Sequence, residues 1–280
     1  MREQVGILMA TYNGEKYIRE QINSILSQTY ELWHLYIHDD GSTDQTCSIL
    51  QEYAEKHPNQ ITFLNYPPQG GAMKNFMSLL ERVDATYYMF SDQDDVWKKD
   101  KIEKEVEQMN SEELKYGGNK PIIVFSDLFV VDSQLNLISE SFLKYSGIHP
   151  EFLTSFDELA ASNLITGCTM LFNHAAKKSI QYPYTSATMH DTWITLCTAK
   201  AHGVLSYLSE PLVYYRQHGN NTLGAVNIKH LTISYRVRHL YRILKLNKDT
   251  YCMMRALGYG SIIKYIYNKL RYKYRTNKRL

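Results

Sequence analysis

Between residues 5 and about 110 the chain alternates four times between a short apolar run and a stretch with helical spacing. Residues 5–10 form a continuous apolar run, as expected of a strand covered on both faces. Tyr17, Ile18, Ile22, Ile25 and Leu26 then recur at helical spacing. A second run at 32–37 precedes a helix with Ile49, Leu50 and Tyr53 on its stripe, which Ser42 and Gln45 would open as a capping box. A third run at 61–66 precedes Phe76, Leu79, Leu80 and Val83. A fourth at 87–90 precedes a charged helix from about Lys98. Such alternation predicts an α/β fold with a mostly parallel central sheet flanked by helices.

Ligands of such sheets bind beyond the carboxyl ends of the strands. The polar clusters fall there: Thr11-Tyr12-Asn13, Asp39-Asp40, and the run Ser91-Asp92-Gln93-Asp94-Asp95-Val96-Trp97. Crowded carboxylates repel one another unless a cation sits among them. A hard divalent ion suits oxygen ligands and completes its shell with substrate phosphates. No Gly-x-Gly-x-x-Gly follows the first run, which argues against a dinucleotide site. A triphosphate-handling nucleotidyltransferase would want a basic Gly-rich loop there, and Gly14-Glu15-Lys16 is a poor one.

Beyond residue 120 the pattern is mixed. Residues 121–131 read as one or two strands, 167–172 as a short one, and 190–202 as a helix opened by His190-Asp191. Residues 204–208 and 212–215 are strand-like, the latter leading into Arg216-Gln217-His218. Asp127 and Asp132 read as structural. The four cysteines are scattered without a Cys-x-x-Cys pair, which fits reduced thiols in a cytoplasm. The opening residues do not read as a secretory signal, and no stretch approaches a membrane span.

The net charge of +2 hides an asymmetry. Residues 229–280 hold 14 Lys and Arg and one acidic residue, whereas residues 1–228 hold 17 basic and 28 acidic residues. We therefore expect a body of residues 1–228 and a basic, aromatic helical tail of residues 229–280, divided near Asn227. Tyr235-Arg236-Val237-Arg238-His239-Leu240 typifies the tail, and the pairs Ile262-Ile263 and Ile266-Tyr267 suggest helical spacing. Basic amphipathic helices lie on anionic membranes; packing on the acidic body is the alternative. With no nucleic-acid-binding fold to accompany the charge, no nucleic-acid partner is expected.

Taken in order, Ala10-Thr11-Tyr12-Asn13, Ser24-Ile25-Leu26-Ser27-Gln28-Thr29-Tyr30, Asp39-Asp40-Gly41-Ser42-Thr43-Asp44, Asp92-Gln93-Asp94-Asp95, His190-Asp191 and Tyr215-Arg216-Gln217-His218 resemble the motifs of family 2 glycosyltransferases with the GT-A fold. The acidic run is most similar to that of bacterial rhamnosyltransferases of cell-surface polysaccharide synthesis. The resemblance implies an inverting, metal-dependent transfer of a sugar, best matched by L-rhamnose from dTDP-rhamnose, with a UDP-hexose as the alternative donor. The acceptor would be a growing, lipid-linked glycan, and the enzyme would sit in the cytoplasm, peripheral on the inner face of the cell membrane. A nucleotide-sugar-binding protein without catalysis is the competing class.

The resemblance also implies roles. Ala10, Thr11, Tyr12, Asp40, Lys74, Asp92 and Gln93 would bind the nucleotide sugar, with Tyr12 stacking on the base and Asp40 accepting from its N3–H. Asp92, Asp94 and His218 would hold Mg2+ or Mn2+. Asp191 would be the general base. Trp97, His190 and Trp193 would contact the acceptor. Many relatives carry an acidic residue where His190 stands.

Overall fold

The computed structural model describes residues 4–162, 165–219, 225 and 240–278. One sheet organises them, in the order β3-β2-β1-β4-β8-β6-β9-β5. Its first half is parallel: β3 (Ile61–Leu64), β2 (Trp33–Asp39), β1 (Val5–Thr11) and β4 (Tyr87–Ser91). Helices α1 (Ile18–Leu26), α2 (Thr46–Lys56) and α3 (Ala72–Arg82) make the crossovers. The second half is mixed. β8 (Met170–Asn173) runs antiparallel to β4 and to β6 (Ile122–Val131), while β9 (Val204–Arg216) runs parallel to β6. The two-residue β5 (Val96–Trp97) pairs antiparallel with β9, and β7 (Leu137–Ser139) is a hairpin partner of β6.

Side chains alternate across the sheet. Val5, Ile7 and Met9 of β1 join α1 and α2 on one face, and Leu8 joins α3 on the other. Helices α4 (Lys101–Tyr116), α5 (Phe142–Ser146), α6 (His174–Ser179) and α7 (His190–Lys200) complete the cover. Two further helices follow, α8 (Leu240–Ala256) and α9 (Ile262–Asn277). Met253, Met254, Leu257, Tyr259 and Tyr265 are buried in the same core cluster as Leu8, Phe76 and Phe90. The composition change near Asn227 and the segment Tyr235-Arg236-Val237-Arg238-His239 lie outside the described residues.

Residues 121–131, read as one or two strands, hold the single strand β6 (Ile122–Val131). Two local expectations change. The two runs from 204 to 215 form one strand with register shifts opposite Ser126 and Asp127. Asp127 sits in that irregularity and accepts from the backbone N–H groups of Phe142 and Leu143 at 3.1 and 3.2 Å. Ser42 does not cap α2. Its hydroxyl donates to Asp39 at 2.6 Å, and the Thr46 N–H that opens the helix is met by Asp44 at 3.0 Å.

Candidate functional site

Because β1 lies between β2 and β4, with Thr11 opposite Asp39 and Met9 opposite Ser91, the loops after these three strands meet at one edge. Asp39 ties two of them. It accepts from the Thr11 hydroxyl at 2.7 Å and from the N–H groups of Gly41 and Ser42 at 3.0 and 2.6 Å. Burial works to raise its pKa, but the bonds from Ser42 and Thr11 win and hold the carboxyl below its usual range. Asn13, in the left-handed region at φ 47°, accepts from Thr43 N–H at 2.9 Å. Gln93 ties the third loop: its amide accepts from Tyr12 N–H at 2.9 Å and donates to Tyr12 C=O at 3.0 Å. Gly14 leaves the room this pairing needs, since a Cβ there would stand 2.4 Å from Gln93 Oε1.

The loops enclose a cavity of about 950 Å3. Ala10, Thr11, Tyr12, Asp40, Asp92, Gln93, Asp94 and His218 all line it, with Asn13, Tyr17, Gly70, Gly71 and Ala72 among their neighbours. Tyr12 is 57% exposed, so its ring face is open. Asp40 accepts from the N–H groups of Gln69, Gly70 and Gly71 at 2.5, 3.0 and 2.5 Å. Of the roughly four acceptor positions of a carboxylate, one is left for a ligand. The N-terminal end of α3 borders the cavity here, an orientation that favours anions.

In the same cavity, His218 Nε2 lies 2.7 Å from Asp94 Oδ2. Burial, with the charges of Asp94 and Asp191, pushes Asp92 up to about 7. Burial, with Asp94 and Asp92, pushes Asp95 well above the usual carboxylate range. The residues fit a hard divalent cation. Asp94 and His218 offer an oxygen and a nitrogen at nearly the spacing of adjacent ligands in an octahedral shell, about 3 Å. Asp92, half-buried and crowded by the charges of Asp94 and Asp191, feels a repulsion that a cation would relieve. Among the described residues the set of three potential ligands that converges within 4.8 Å is Asp92, Asp95 and the Cys168 sulfur, which includes neither Asp94 nor His218. Asp95 is fully buried and gives one oxygen to Arg216 N–H at 3.1 Å, so it belongs to the layer under the cavity.

Asp191 is at the first turn of α7, 5% exposed, and accepts from Gly167 N–H at 3.1 Å. It does not line the cavity, yet it is near enough to Asp92 for its charge to raise that group's pKa. The expected acceptor contacts are corrected by burial. Trp97 and Trp193 are 3% and 2% exposed; Trp97 belongs to the core under α4, and Trp193 donates its Nε1–H to Gln181 C=O at 3.2 Å. Neither presents a ring to a sugar. His190 is stacked on Phe76 at 4.1 Å and packed edge-on against Phe90 at 4.6 Å, with no hydrogen-bond partner for either nitrogen among the described residues. Burial lowers its pKa to about 4 against the opposing pull of Asp191, so the ring is neutral. Lys74 is exposed on the first turn of α3 and does not line the cavity.

Two features have roles that the local sequence did not reveal, although Arg216 lies in a motif that carries the family resemblance. Arg216, 2% exposed, fastens the acidic loop: Nε donates to Asp94 C=O at 2.8 Å, Nη1 to Ser133 C=O at 2.8 Å, and Nη2 pairs with Glu20. Its guanidinium also lies 4.5 Å over Tyr17, whose ring is 5.0 Å from His218. Deeper down, Lys101 and Glu105 form an ion pair at 2.5 Å with neither exposed, and Lys101 lies 4.9 Å from the Trp97 ring. The i,i+4 spacing of this pair is that of a solvated helix face.

The architecture is shared with known enzymes. Staphylococcus aureus TarS 1–349 in complex with UDP-GlcNAc matches with a TM-score of 0.56 at 19% identity, over 88% of this chain and 66% of that one. A longer TarS chain is spanned only to 37%. The mannosyltransferase PcManGT from Pyrobaculum calidifontis, in complex with GDP-Man and Mn2+, matches with a TM-score of 0.56 at 15% identity, over 94% and 78% of the two chains. At these identities the likeness establishes the fold, that of the GT-A glycosyltransferases. In sequence, a putative teichuronic acid biosynthesis glycosyltransferase, TuaG of Bacillus subtilis, is 30% identical over 89% of this chain and 93% of its own. The dTDP-rhamnosyl transferase RfbG of Shigella flexneri is 33% identical over 78% and 74%. Residues 6–172 match the family described as Glycosyl transferase family 2. The chain belongs to that family and is a glycosyltransferase.

Proposed function

We propose that the protein moves a sugar from a nucleoside diphosphate onto a hydroxyl of a growing cell-surface glycan, with inversion at the anomeric carbon. The observation that carries this reading is the convergence of Tyr12, Asp40, Asp92, Asp94 and His218 on one cavity at the carboxyl edge of the sheet. Tyr12 offers its open face to the base, and the remaining acceptor position of Asp40 meets the N3–H of thymine or uracil. The diphosphate lies toward the N-terminal end of α3. Asp94 and His218 would hold Mg2+ or Mn2+, and Asp92 would serve the ion or the ribose. The cation would neutralise the charge that develops on the departing diphosphate. Asp191 takes the proton from the acceptor hydroxyl as its oxygen bonds to the anomeric carbon and the bond to the diphosphate breaks. With one carboxylate base and no nucleophile from the enzyme, the configuration inverts.

The donor best supported is dTDP-rhamnose, on the strength of the 33% identical rhamnosyl transferase. A UDP-hexose is the second reading, because WfgD of Escherichia coli, named as a UDP-Glc-dependent glucosyltransferase, is 32% identical over 42% of this chain. We take residues 1–228 as the catalytic body, and a lipid-linked glycan at the inner face of the cell membrane as the acceptor. The test is hydrolysis of dTDP-rhamnose and UDP-hexoses with Mn2+, Mg2+ or EDTA, read as free nucleoside diphosphate and paired with donor-binding titrations. Metal-dependent release from dTDP-rhamnose alone is expected. Release from a UDP-sugar would move the donor to the second reading, and absence of both release and binding across the panel would overturn the donor assignment.

A further inference from the structure

Helix α9 has two opposed apolar faces, and only one of them is used. Tyr265, Asn268 and Tyr272 point inward: the first two are buried, and the Tyr272 hydroxyl accepts from His149 N–H at 2.9 Å. Lys264 pairs with Asp157 at 2.7 Å and Arg275 with Glu158 at 3.0 Å, while Lys269 donates to Ala161 C=O at 3.1 Å. The helix is thus fixed to the acidic body. At about 100° per residue the other side collects Ile263, Ile266, Tyr267, Leu270 and Tyr274 within an arc of roughly 100°. They are 75%, 51%, 61%, 63% and 60% exposed. The midpoints of the two faces are diametrically opposite, so docking on the body cannot cover the stripe.

Charge completes the pattern. Arg271 and Lys278 flank the stripe on one side and Lys273 on the other, all exposed, and α9 contains no acidic residue. Helix α8 adds exposed Tyr241 and Leu244 and carries a single acid, Asp249. An apolar arc with aromatic members between cationic flanks is the make-up of a helix lying in the plane of an anionic bilayer interface. Among the described residues no helix is long and apolar enough to cross a membrane.

We propose that the outer face of α9 docks the protein flat on an anionic lipid surface, with Ile263, Ile266, Tyr267, Leu270 and Tyr274 inserted at the level of the headgroups. Arg271, Lys273 and Lys278 meet lipid phosphates around them. The inference is independent of which donor the cavity accepts. A second copy of the chain is the competing occupant, but two such faces would bring like-charged flanks together.

The test is flotation of the full chain with vesicles of phosphatidylcholine alone or mixed with phosphatidylglycerol, at low and high salt. The wild type is expected to float with the phosphatidylglycerol vesicles, to be released by salt, and to stay behind with phosphatidylcholine alone. Ile266→Ser with Leu270→Ser should lower partitioning at least about tenfold. Arg271→Gln with Lys273→Gln should lower it by about fivefold per residue. Donor binding and the melting temperature should be unchanged in both variants, since all four side chains are exposed. A wild type that does not float, or a serine variant that floats equally well, would overturn the proposal. So would a dimer seen by light scattering that the serine variant dissolves while vesicles bind neither protein.

Discussion

Asp94 and Asp95 are neighbours in the chain and work in different environments. Asp94 lines the cavity, its carboxylate turned to His218 at 2.7 Å. Asp95 is fully buried, takes the Arg216 N–H on one oxygen, and lies in a polar layer with Cys168. Below it Lys101 and Glu105 neutralise each other out of contact with water. The cavity wall keeps acidic groups crowded, a cost that only a bound cation or ligand offsets. In the layer beneath, Lys101 and Glu105 pair with each other, while burial and the charges of Asp94 and Asp92 push Asp95 well above the usual carboxylate range. The first arrangement is suited to chemistry, and the second holds the first in place through Arg216. Carboxylates one residue apart therefore predict different consequences when they or their partners are changed.

The largest effect belongs to the reacting side. Asp191→Asn should lower transfer about 100- to 10,000-fold, the usual range for loss of a general base. Donor affinity by titration should stay near the wild-type value. A variant that turns over normally would remove Asp191 from the chemistry and leave it a loop anchor for Gly167.

The buried layer should fail in stability instead. Lys101→Met strands Glu105 and should cost about 3–5 kcal/mol in urea unfolding. Lys101→Met combined with Glu105→Leu should recover most of that loss, since replacing both members of a buried pair is often neutral. If the double variant is as unstable as the single one, the pair does more than neutralise itself.

His190 lies between the two behaviours, and pH separates them. Its folded pKa of about 4 is below the unfolded value near 6.5, so between those pH values the unfolded chain takes up a proton that the folded ring refuses. Stability is therefore lost as the pH falls from about 6.5 to 4, by about 3 kcal/mol in total. His190→Phe removes the titrating group, and its unfolding free energy should follow a flatter course across that window. Parallel courses would mean that the ring is protonated or hydrogen-bonded in the folded state.

The smallest effect is at the rim. Gly14→Ala places a Cβ against Gln93 and should release its pairing with Tyr12, costing about 1 kcal/mol. It should appear as a several-fold rise in donor KM with kcat little changed. Loss of kcat instead would mean that the Tyr12 loop also positions the reacting sugar.

The framework of the catalytic half was legible in the residues. Runs such as 5–10 and 87–90 are apolar throughout because parallel strands are covered on both faces, and the clusters after them had to share an edge. Tyr12, Asp40, Asp92 and Asp94 stood out for that reason, His218 only through the family resemblance, and the cavity contains them all. The expected acceptor aromatics Trp97 and Trp193 were misplaced, because a large ring near an acidic motif looks the same whether it faces a sugar or the core. The capping role expected of Ser42 went to Asp44, because Asp39 claimed the Ser42 hydroxyl.

By itself, then, the sequence determined the strand–helix alternation, the edge at which the chemistry gathers, and the basic character of the last helices. These depend on periodicity and composition, which are local. Only the tertiary structure decided which charges go inside. Lys101 and Glu105 have the spacing of a surface pair and are buried; Ile263, Ile266 and Leu270 have the spacing of a core stripe and are exposed. A helix records which of its residues share a face. What covers that face is settled by elements that arrive from elsewhere in the chain: β9, through Ser206, against α4, and the 149–161 segment against the inner side of α9.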